Sequence, residues 1–360
     1  MWSTDPKRSA LPCRRSLSEW VIAEIRLQIE NSEIDGSEIF NRKSEICNLK
    51  FEGEVFVSTI LRSMLFVPAN SWRMITTAGS EAGDAVILDI EDACPLAEKE
   101  TGRVFARDSV PMLKERGLDV YVRINAFETG MTGEDVRYVV TEGLDGVMLP
   151  KSDSKEDILK LDGLLKEEEE KRGLKVASVA ILPLLETPKG ISAVSEIIAA
   201  SPRVVGVSFG AGDYSREIGA GMGVTSLSAD DYFLMAAHPR ATIALAARAA
   251  NVLAIDSPFF GLVIDIESLV RETRRVKLMG FTGKLLVHPR HVEPVNQVFA
   301  PTKEEKDFAK KVIKAYEEAK ARGLGATTIG GRMIDYGSYR RALNLIAMAE
   351  RIEEREKKKK

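Results

Sequence analysis

What this chain is short of narrows its function before any motif is read. It has only three cysteines in 360 residues. Cys13, Cys47 and Cys94 lie far apart and form no C-x-x-C pair, which argues against a disulfide framework and against a thiolate metal site. A reducing, cytoplasmic setting is therefore expected. There is no basic excess either: 51 Lys and Arg face 54 Asp and Glu, for a net charge of −3. Without a cationic surface to neutralise phosphates, nucleic acid is not an expected partner. No apolar run approaches the roughly 20 residues that cross a bilayer, and the first segment lacks the apolar stretch of a secretory signal. A dinucleotide-binding glycine fingerprint is missing too. The first apolar run ends in Val67-Pro68-Ala69-Asn70, and the alternating glycines from Gly219 to Gly223 come after the sixth run, where they read as a loop.

What is present is a repeat. From Arg62 onward, eight short runs rich in apolar and β-branched residues alternate with helical patterns: RSMLFVP, AVILDIE, DVYVRIN, DGVMLPK, VASVAILPLLE, VVGVSFGAGD, VLAIDSP and GKLLVHP. Strands separated by helices are parallel, because parallel neighbours need a crossover. Their near-continuous apolar character fits strands covered on both faces. Eight such units within roughly 230 residues predict an α/β protein of the (β/α)₈ barrel type. The barrel is assigned to residues 57–300 and a carboxyl-terminal helical extension to 301–360. In that extension, 302–322 reads as an amphipathic helix that should pack on the barrel. Residues 1–56 find no place in the repeat and are expected to be an extension. The opening segment is basic, but Glu19, Glu24, Glu30 and Glu33 soon follow, unlike an import peptide.

Barrel enzymes work at the carboxyl ends of their strands. Here those ends carry Asp89, Glu91 and Asp92, then Arg123 and Asn125, Lys151, Glu186, Asp213, Asp256 and His288. Glu186 and Asp213 end adjacent strands, so both should enter one pocket. Paired carboxylates without nearby thiolates or a histidine cluster suit a hard cation such as Mg²⁺, which takes one or two protein carboxylates and leaves positions for water and substrate; each acid could instead cap the helix that follows. Arg123 in VYVRIN needs an anion if it enters an apolar barrel mouth. A substrate carboxylate or enolate would serve, as would a structural pair with the acids of DIED. His288 and His291 read as rim residues. Cys94 reads as a packed side chain, with no histidine near it to activate a thiol.

These stretches carry a family resemblance. RSMLFVPAN, AVILDIEDACPLAEKETGR, VRIN, VMLPK, LLETPKG, FGAGDYS, AIDSP, LVHPRHVEPVNQVFAP and GRMID, in that order, make the chain similar to the HpcH/HpaI aldolase/citrate lyase family, in its citrate lyase β-subunit and malyl-CoA or citramalyl-CoA lyase branch. The resemblance implies a Mg²⁺-dependent lyase that cleaves or forms a carbon–carbon bond in a 3-hydroxyacyl-CoA, giving a CoA thioester and a 2-oxo acid. It implies Glu186 and Asp213 as metal ligands, Glu186 and Arg123 as substrate-binding residues, and Asp335 as the general acid or base of a carboxyl-terminal lid. It sets Arg62 beside the path of CoA, and it implies a homo-oligomer, a trimer or hexamer, in which the lid reaches a neighbouring subunit. Two alternatives stay open: a citrate lyase β-subunit working with an acyl-carrier partner, and a malyl-CoA-type thioesterase on the same fold.

Overall fold

In a computed structural model, residues 59–81, 83–220 and 229–358 are described. The expected extension at 1–56 and the end of the Gly219–Gly223 run lie outside them. All eight apolar runs form strands: β1 (Ser63–Pro68), β2 (Ala85–Asp89), β3 (Asp119–Arg123), β4 (Gly146–Leu149), β5 (Ala180–Leu185), β6 (Gly206–Phe209), β7 (Leu253–Asp256) and β8 (Gly283–Leu286). Each pairs in parallel with the next, and β8 closes on β1 through Ser63↔Lys284 and Met64↔Leu285.

Alternation along each strand divides the core in two. Met64, Ala85, Ile87, Tyr121, Leu182, Ile255 and Leu285 fill the barrel interior. Their neighbours Leu65, Val86, Leu88, Val120, Val122, Ala254 and Leu286 pack outward with the helices. Each fully buried aliphatic side chain of this kind contributes about 1.5–3 kcal/mol. The helices of the shell are α1 (Trp72–Glu81), α2 (Lys99–Glu115), α3 (Thr132–Val139), α4 (Lys155–Lys171), α5 (Pro188–Ser192), α6 (Val194–Ala199), α7 (Ala211–Glu217), α8 (Ala229–Met235), α9 (Ala237–Ala250), α10 (Ile266–Met279) and α11 (Val292–Phe299). Among the described residues no helix is long and apolar enough to cross a membrane.

The same alternation decides what each strand-end acid does. Asp89 and Arg123 continue the inward set of β2 and β3, whereas Asp256 continues the outward set of β7. Asp256 is thereby removed from the mouth, where the sequence placed it. It is fully buried among Arg240 of α9 (2.8 Å), Lys284 of β8 (2.6 Å) and, through Lys284, Glu272 of α10 (2.7 Å). Burial opposes its ionisation, but Lys284 and Arg240 outweigh burial and hold its carboxyl below the ordinary range.

The carboxyl-terminal segment corrects a second expectation. The predicted helix is α12 (Lys303–Ala321), and it is followed by a hairpin, β9 (Thr327–Ile329) and β10 (Arg332–Ile334), and by α13 (Tyr336–Lys358). Instead of packing on the barrel, α12 turns its apolar face to α13. Ala309, Val312, Tyr316, Ile334 and Ala342 form a cluster that contains no barrel residue, and Tyr316 stacks on Tyr339 with centroids 4.7 Å apart. A helical periodicity shows that a face is apolar, not what covers it. Gly330 and Gly331 have φ of +56° and +77° in the turn of the β9–β10 hairpin, a requirement that left-handed turn residues satisfy and that glycine meets without strain.

Replacing Lys284 with Met leaves two buried carboxylates against Arg240 alone. The variant is expected to lose about 3–5 kcal/mol of stability, read from denaturant unfolding at pH 7. Because Asp256 titrates below its unfolded value of about 3.9, its contribution is complete above that pH and is lost as the pH falls through the depressed value. The deficit should therefore shrink in acid; an undiminished deficit at pH 3 would exclude Asp256 as its source.

Candidate active site

At the carboxyl end of the barrel the charged groups converge on Arg123. Its guanidinium grips Asp89 with a two-pronged fork, Nε to Oδ1 at 2.8 Å and Nη2 to Oδ2 at 2.6 Å. Nη1 lies 2.8 Å from Glu91 and 3.6 Å from Asp92, and the group sits over the Phe66 ring at 4.8 Å. Asp89 is itself fixed by accepting the backbone N–H groups of Glu91 and Ala93. Burial disfavours the charge on Arg123, yet Asp89 and then Glu91 outweigh it and keep the guanidinium firmly protonated. Of the anions left open by the sequence, the structural pair is present, with Asp89 as its main member.

Glu186 follows β5 and is only 5% exposed. Its Oε1 accepts the N–H of Lys151 at 2.8 Å. Lys151 adopts φ +46° to make that bond, a left-handed conformation that costs a non-glycine residue about 1–3 kcal/mol. The other oxygen, Oε2, faces Gly210, where any Cβ would stand 2.5 Å from the Glu186 Cβ and 2.7 Å from Oε2. Gly210 is thus required by a close approach. Asp213 lies in the first turn of α7 and pairs with Arg216.

Arg123, Glu186 and Asp213 line one cavity of about 490 Å³, together with Asp89 and Asp92. The rest of the wall is largely apolar, with Phe66, Pro68, Met74, Phe260 and Val287. Four carboxylates against one guanidinium leave an excess of negative charge. Burial, followed by the neighbouring charge of Glu91, pushes Glu186 up to about 7. Burial likewise pushes Glu91 to about 7, against the pull of Arg123.

This donor set fits a magnesium ion. Among the described residues no hydrogen-bond donor is recorded on Glu186 Oε2, Asp213 borders the same cavity, and the surrounding acids need a cation to ionise together. Among the described residues no three His, Cys, Asp or Glu side chains form a metal-holding group. The two carboxylates would leave most of the coordination sphere to water and substrate oxygens, as Mg²⁺ prefers.

Two residues that the resemblance assigned to the site lie elsewhere. Arg62 precedes β1, at the opposite end of the barrel, and is 2% exposed. Both prongs of its guanidinium are committed to Asp84, at 2.8 and 2.9 Å, and Nη1 to Glu356 at 3.2 Å. It borders a larger cavity of about 750 Å³ that shares no residue with the strand-end cavity. Asp335 caps α13, with Oδ1 accepting from Ser338 N and Oγ at 2.8 Å each. Those bonds hold its carboxyl below the ordinary range. Asp335 belongs to the carboxyl-terminal arm and is not among the described residues that line the Glu186 cavity.

The smaller expectations divide. His291 is buried, with Nε2 3.1 Å from the Val263 carbonyl, whereas His288 Nδ1 only accepts the Arg290 N–H within its own turn, and His288 borders the same cavity as Arg62. Cys94 is packed, its thiol donating to the Glu98 carbonyl. Sequence reasoning missed the role of the Lys151 backbone, because nothing in VMLPK signals a positive φ. It also passed over Gly210, although a glycine between a strand end and a carboxylate-bearing turn is a usable sign of close approach.

A barrel with its acids gathered at the carboxyl-terminal mouth is an enzyme scaffold, and the likeness to known proteins narrows the class. Residues 62–289 match HpcH/HpaI aldolase/citrate lyase, and the chain belongs to that family. It is 34% identical over 288 residues to the citrate lyase subunit beta of Leuconostoc mesenteroides subsp. cremoris, covering 80% of this chain and 93% of that one. To the L-malyl-CoA/beta-methylmalyl-CoA lyase of Cereibacter sphaeroides it is 31% identical over 307 residues, covering 81% and 95%. Among solved structures, CitE from Mycobacterium tuberculosis in complex with magnesium, acetoacetate and coenzyme A superposes with a TM-score of 0.65 at 30% identity, over 82% of this chain and all of that one. The protein is a carbon–carbon lyase of this family.

Two outcomes test the site. Arg123→Lys keeps the charge but not the fork, so turnover should fall roughly a hundredfold, the scale of losing one directed donor, while divalent-cation affinity changes little. Wild-type turnover in the variant would reduce Arg123 to a structural partner of Asp89. Because Glu186 and Glu91 hold protons up to about pH 7, a cation must displace those protons at lower pH. Mn²⁺ affinity, followed by the free-ion EPR signal, should rise between pH 5.5 and 7.5 and level off above. A flat profile would place the ion elsewhere.

Proposed function

We propose that the protein is a Mg²⁺-dependent CoA-ester lyase that cleaves or forms a carbon–carbon bond in a 3-hydroxyacyl-CoA such as malyl-CoA or citramalyl-CoA, giving a CoA thioester and a 2-oxo acid. The observation that carries this reading is the meeting of Glu186, Asp213 and Arg123 in one partly apolar cavity. The names of the lyase relatives, and the magnesium and coenzyme A in the mycobacterial neighbour, support it.

Glu186 and Asp213 would hold the ion, which when bound supplies Lewis acidity to the oxygens of a 2-oxo or 2-hydroxy acid. Arg123 lines the cavity, and exchange of its Nη1 contact with Glu91 for substrate would let it stabilise the negative charge that develops on a thioester enolate. Phe66, Met74, Phe260 and Val287 keep water from that carbanion and leave room for an apolar acyl or pantetheine segment. Asp335 serves as the general acid or base that protonates the enolate carbon, or deprotonates the acyl-CoA in the condensing direction. Asp335 is not among the described residues that line its own chain's cavity, and we assign it to a neighbouring subunit in a homo-oligomer, a trimer or hexamer. Residues 57–300 then serve as the catalytic body and 301–360 as the lid. A cytoplasmic location fits the sparse cysteines.

The 34% identity to a citrate lyase subunit beta favours one second reading, a citryl-thioester lyase that needs an acyl-carrier partner. A screen of 3-hydroxyacyl-CoA esters with and without Mg²⁺, following 2-oxo acid and thioester products separately, decides among these. Metal-dependent release of both products is expected. Free CoA without 2-oxo acid would replace the lyase with a thioesterase, and inactivity on every free CoA ester but activity on an acyl-carrier thioester would establish the second reading. Mixing inactive Asp335→Ala with inactive Glu186→Ala subunits should restore part of the activity. If subunits exchange and none returns, the lid does not act across an interface.

A further inference from the structure

The first residues of three adjacent strands form a charged platform at the amino-terminal end of the barrel. Arg62 precedes β1, Asp84 precedes β2, and Asp119 opens β3. The last turns of α13 bring complementary charges onto it. Glu356 meets Arg62 Nη1 at 3.2 Å, Arg355 Nη1 meets Asp119 Oδ2 at 3.0 Å, and Arg355 Nη2 donates to the Asp84 carbonyl. Asp84 is fully buried and Arg62 nearly so, while the Arg355 side chain keeps 16% of its surface. Beside this junction, Lys306 at the start of α12 reaches Glu353 of α13 at 3.1 Å.

None of these groups takes part in the chemistry at the other end of the barrel, so their convergence calls for another role. The arm has its own apolar cluster, which shares no residue with the barrel, whereas the ion pairs join the two directly. Pairing at fixed strand ends is directional in a way that apolar contact is not. From Arg355 back to Asp335 is twenty residues of one helix, a lever of about 30 Å. A small change of angle at the anchored end is therefore magnified at Asp335.

We propose that Arg355 and Glu356, seated on Arg62, Asp84 and Asp119, are positioning residues: an ionic clasp that sets the direction in which the arm leaves the barrel and so aims Asp335 at a second copy of this chain. The inference deepens the lid reading and rests on it. It also gives Arg62 a job that does not involve CoA.

Arg355 is the place to test it, since it lies on the arm and its loss leaves the barrel's own Arg62–Asp84 pair in place. In full-length protein with Cys13 and Cys47 replaced by Ser, spin labels at Met333→Cys and Lys166→Cys report the arm-to-barrel distance, with labelled chains diluted in unlabelled protein to suppress signals between subunits. The expected distribution is narrow in the parent, broad in Arg355→Gln and narrowed again in Arg355→Lys, which retains the charge facing Asp119. Turnover should fall about tenfold to a hundredfold in Arg355→Gln, the range expected for a misplaced catalytic group, while Mn²⁺ affinity stays at the parental value. A distribution as narrow in Arg355→Gln as in the parent overturns the clasp, and so does a broad distribution with parental turnover while Asp335→Ala is inactive. If Asp335→Ala is itself fully active, the lid reading fails and the aim of the clasp fails with it, whatever the distances show.

Discussion

The chemistry of this protein depends on a charge imbalance held in place by one guanidinium. Among the described residues Arg123 is the single cation that lines the strand-end cavity, and Asp89, Asp92, Glu186 and Asp213 line it with the opposite sign. Left to themselves, buried carboxylates at such spacing take up protons, as the elevated values of Glu186 and Glu91 show. Arg123 offsets part of the repulsion and spends its fork on Asp89, which fixes the end of β2 against β3. Arg216 pairs with Asp213, and the rest of the negative charge exceeds what Arg123 alone can offset. It is a standing demand for a divalent cation, and it explains why the same cluster can be tolerated in the fold and useful in the reaction.

Holding that cluster requires strain and fit around it. Lys151 takes a left-handed backbone conformation to put its N–H on Glu186, and Gly210 gives up a side chain so that Glu186 can lie against β6. Such departures from the easiest local conformation persist where tertiary structure determines them. On the far side of the sheet, the buried group of Asp256, Lys284, Arg240 and Glu272 ties β7 and β8 to α9 and α10. Arg240 also lies over Phe233, with its guanidinium carbon 4.9 Å from the ring centroid. The sector that carries Pro258 and Phe260 to the cavity wall thus rests on charge pairing as well as on apolar packing.

The eight strands were legible because a strand covered on both faces has little choice of composition: β2, β4, β6, β7 and β8 are buried along their whole length. The same uniformity hid their parity. With apolar residues on both faces, nothing in LAID tells whether its last residue points into the barrel or out to the helices, and Asp256 was accordingly grouped with the mouth when it belongs to the shell. Glu186 and Asp213 escaped the ambiguity because they follow their strands. Arg62 could have been placed from its position alone, since a residue that begins a parallel strand stands at the end away from the chemistry; the family likeness drew it toward CoA instead. For α12 the sequence showed an apolar stripe, but the partner of that stripe is α13, more than twenty residues on, and no local pattern encodes such a pairing.

The separation of the two ends is the remaining constraint. Acids that are to hold a metal need rigid strand ends, where backbone pairing fixes them to within the tolerance of catalysis. Proton transfer to carbon needs a group that arrives with the substrate and leaves with the product, which a rigid strand end cannot provide. On the proposed reading, Asp335 meets that need by standing on an arm with its own small core. In the described conformation Ser338 satisfies its Oδ1 and favours the ionised form, the state required of a base that removes a proton from an acyl-CoA. Acting as an acid in cleavage, the same carboxyl must first gain a proton that its cap disfavours. On the proposed reading, the carboxyl gives up the Ser338 cap when it enters a neighbour's apolar cavity, where burial favours the protonated form.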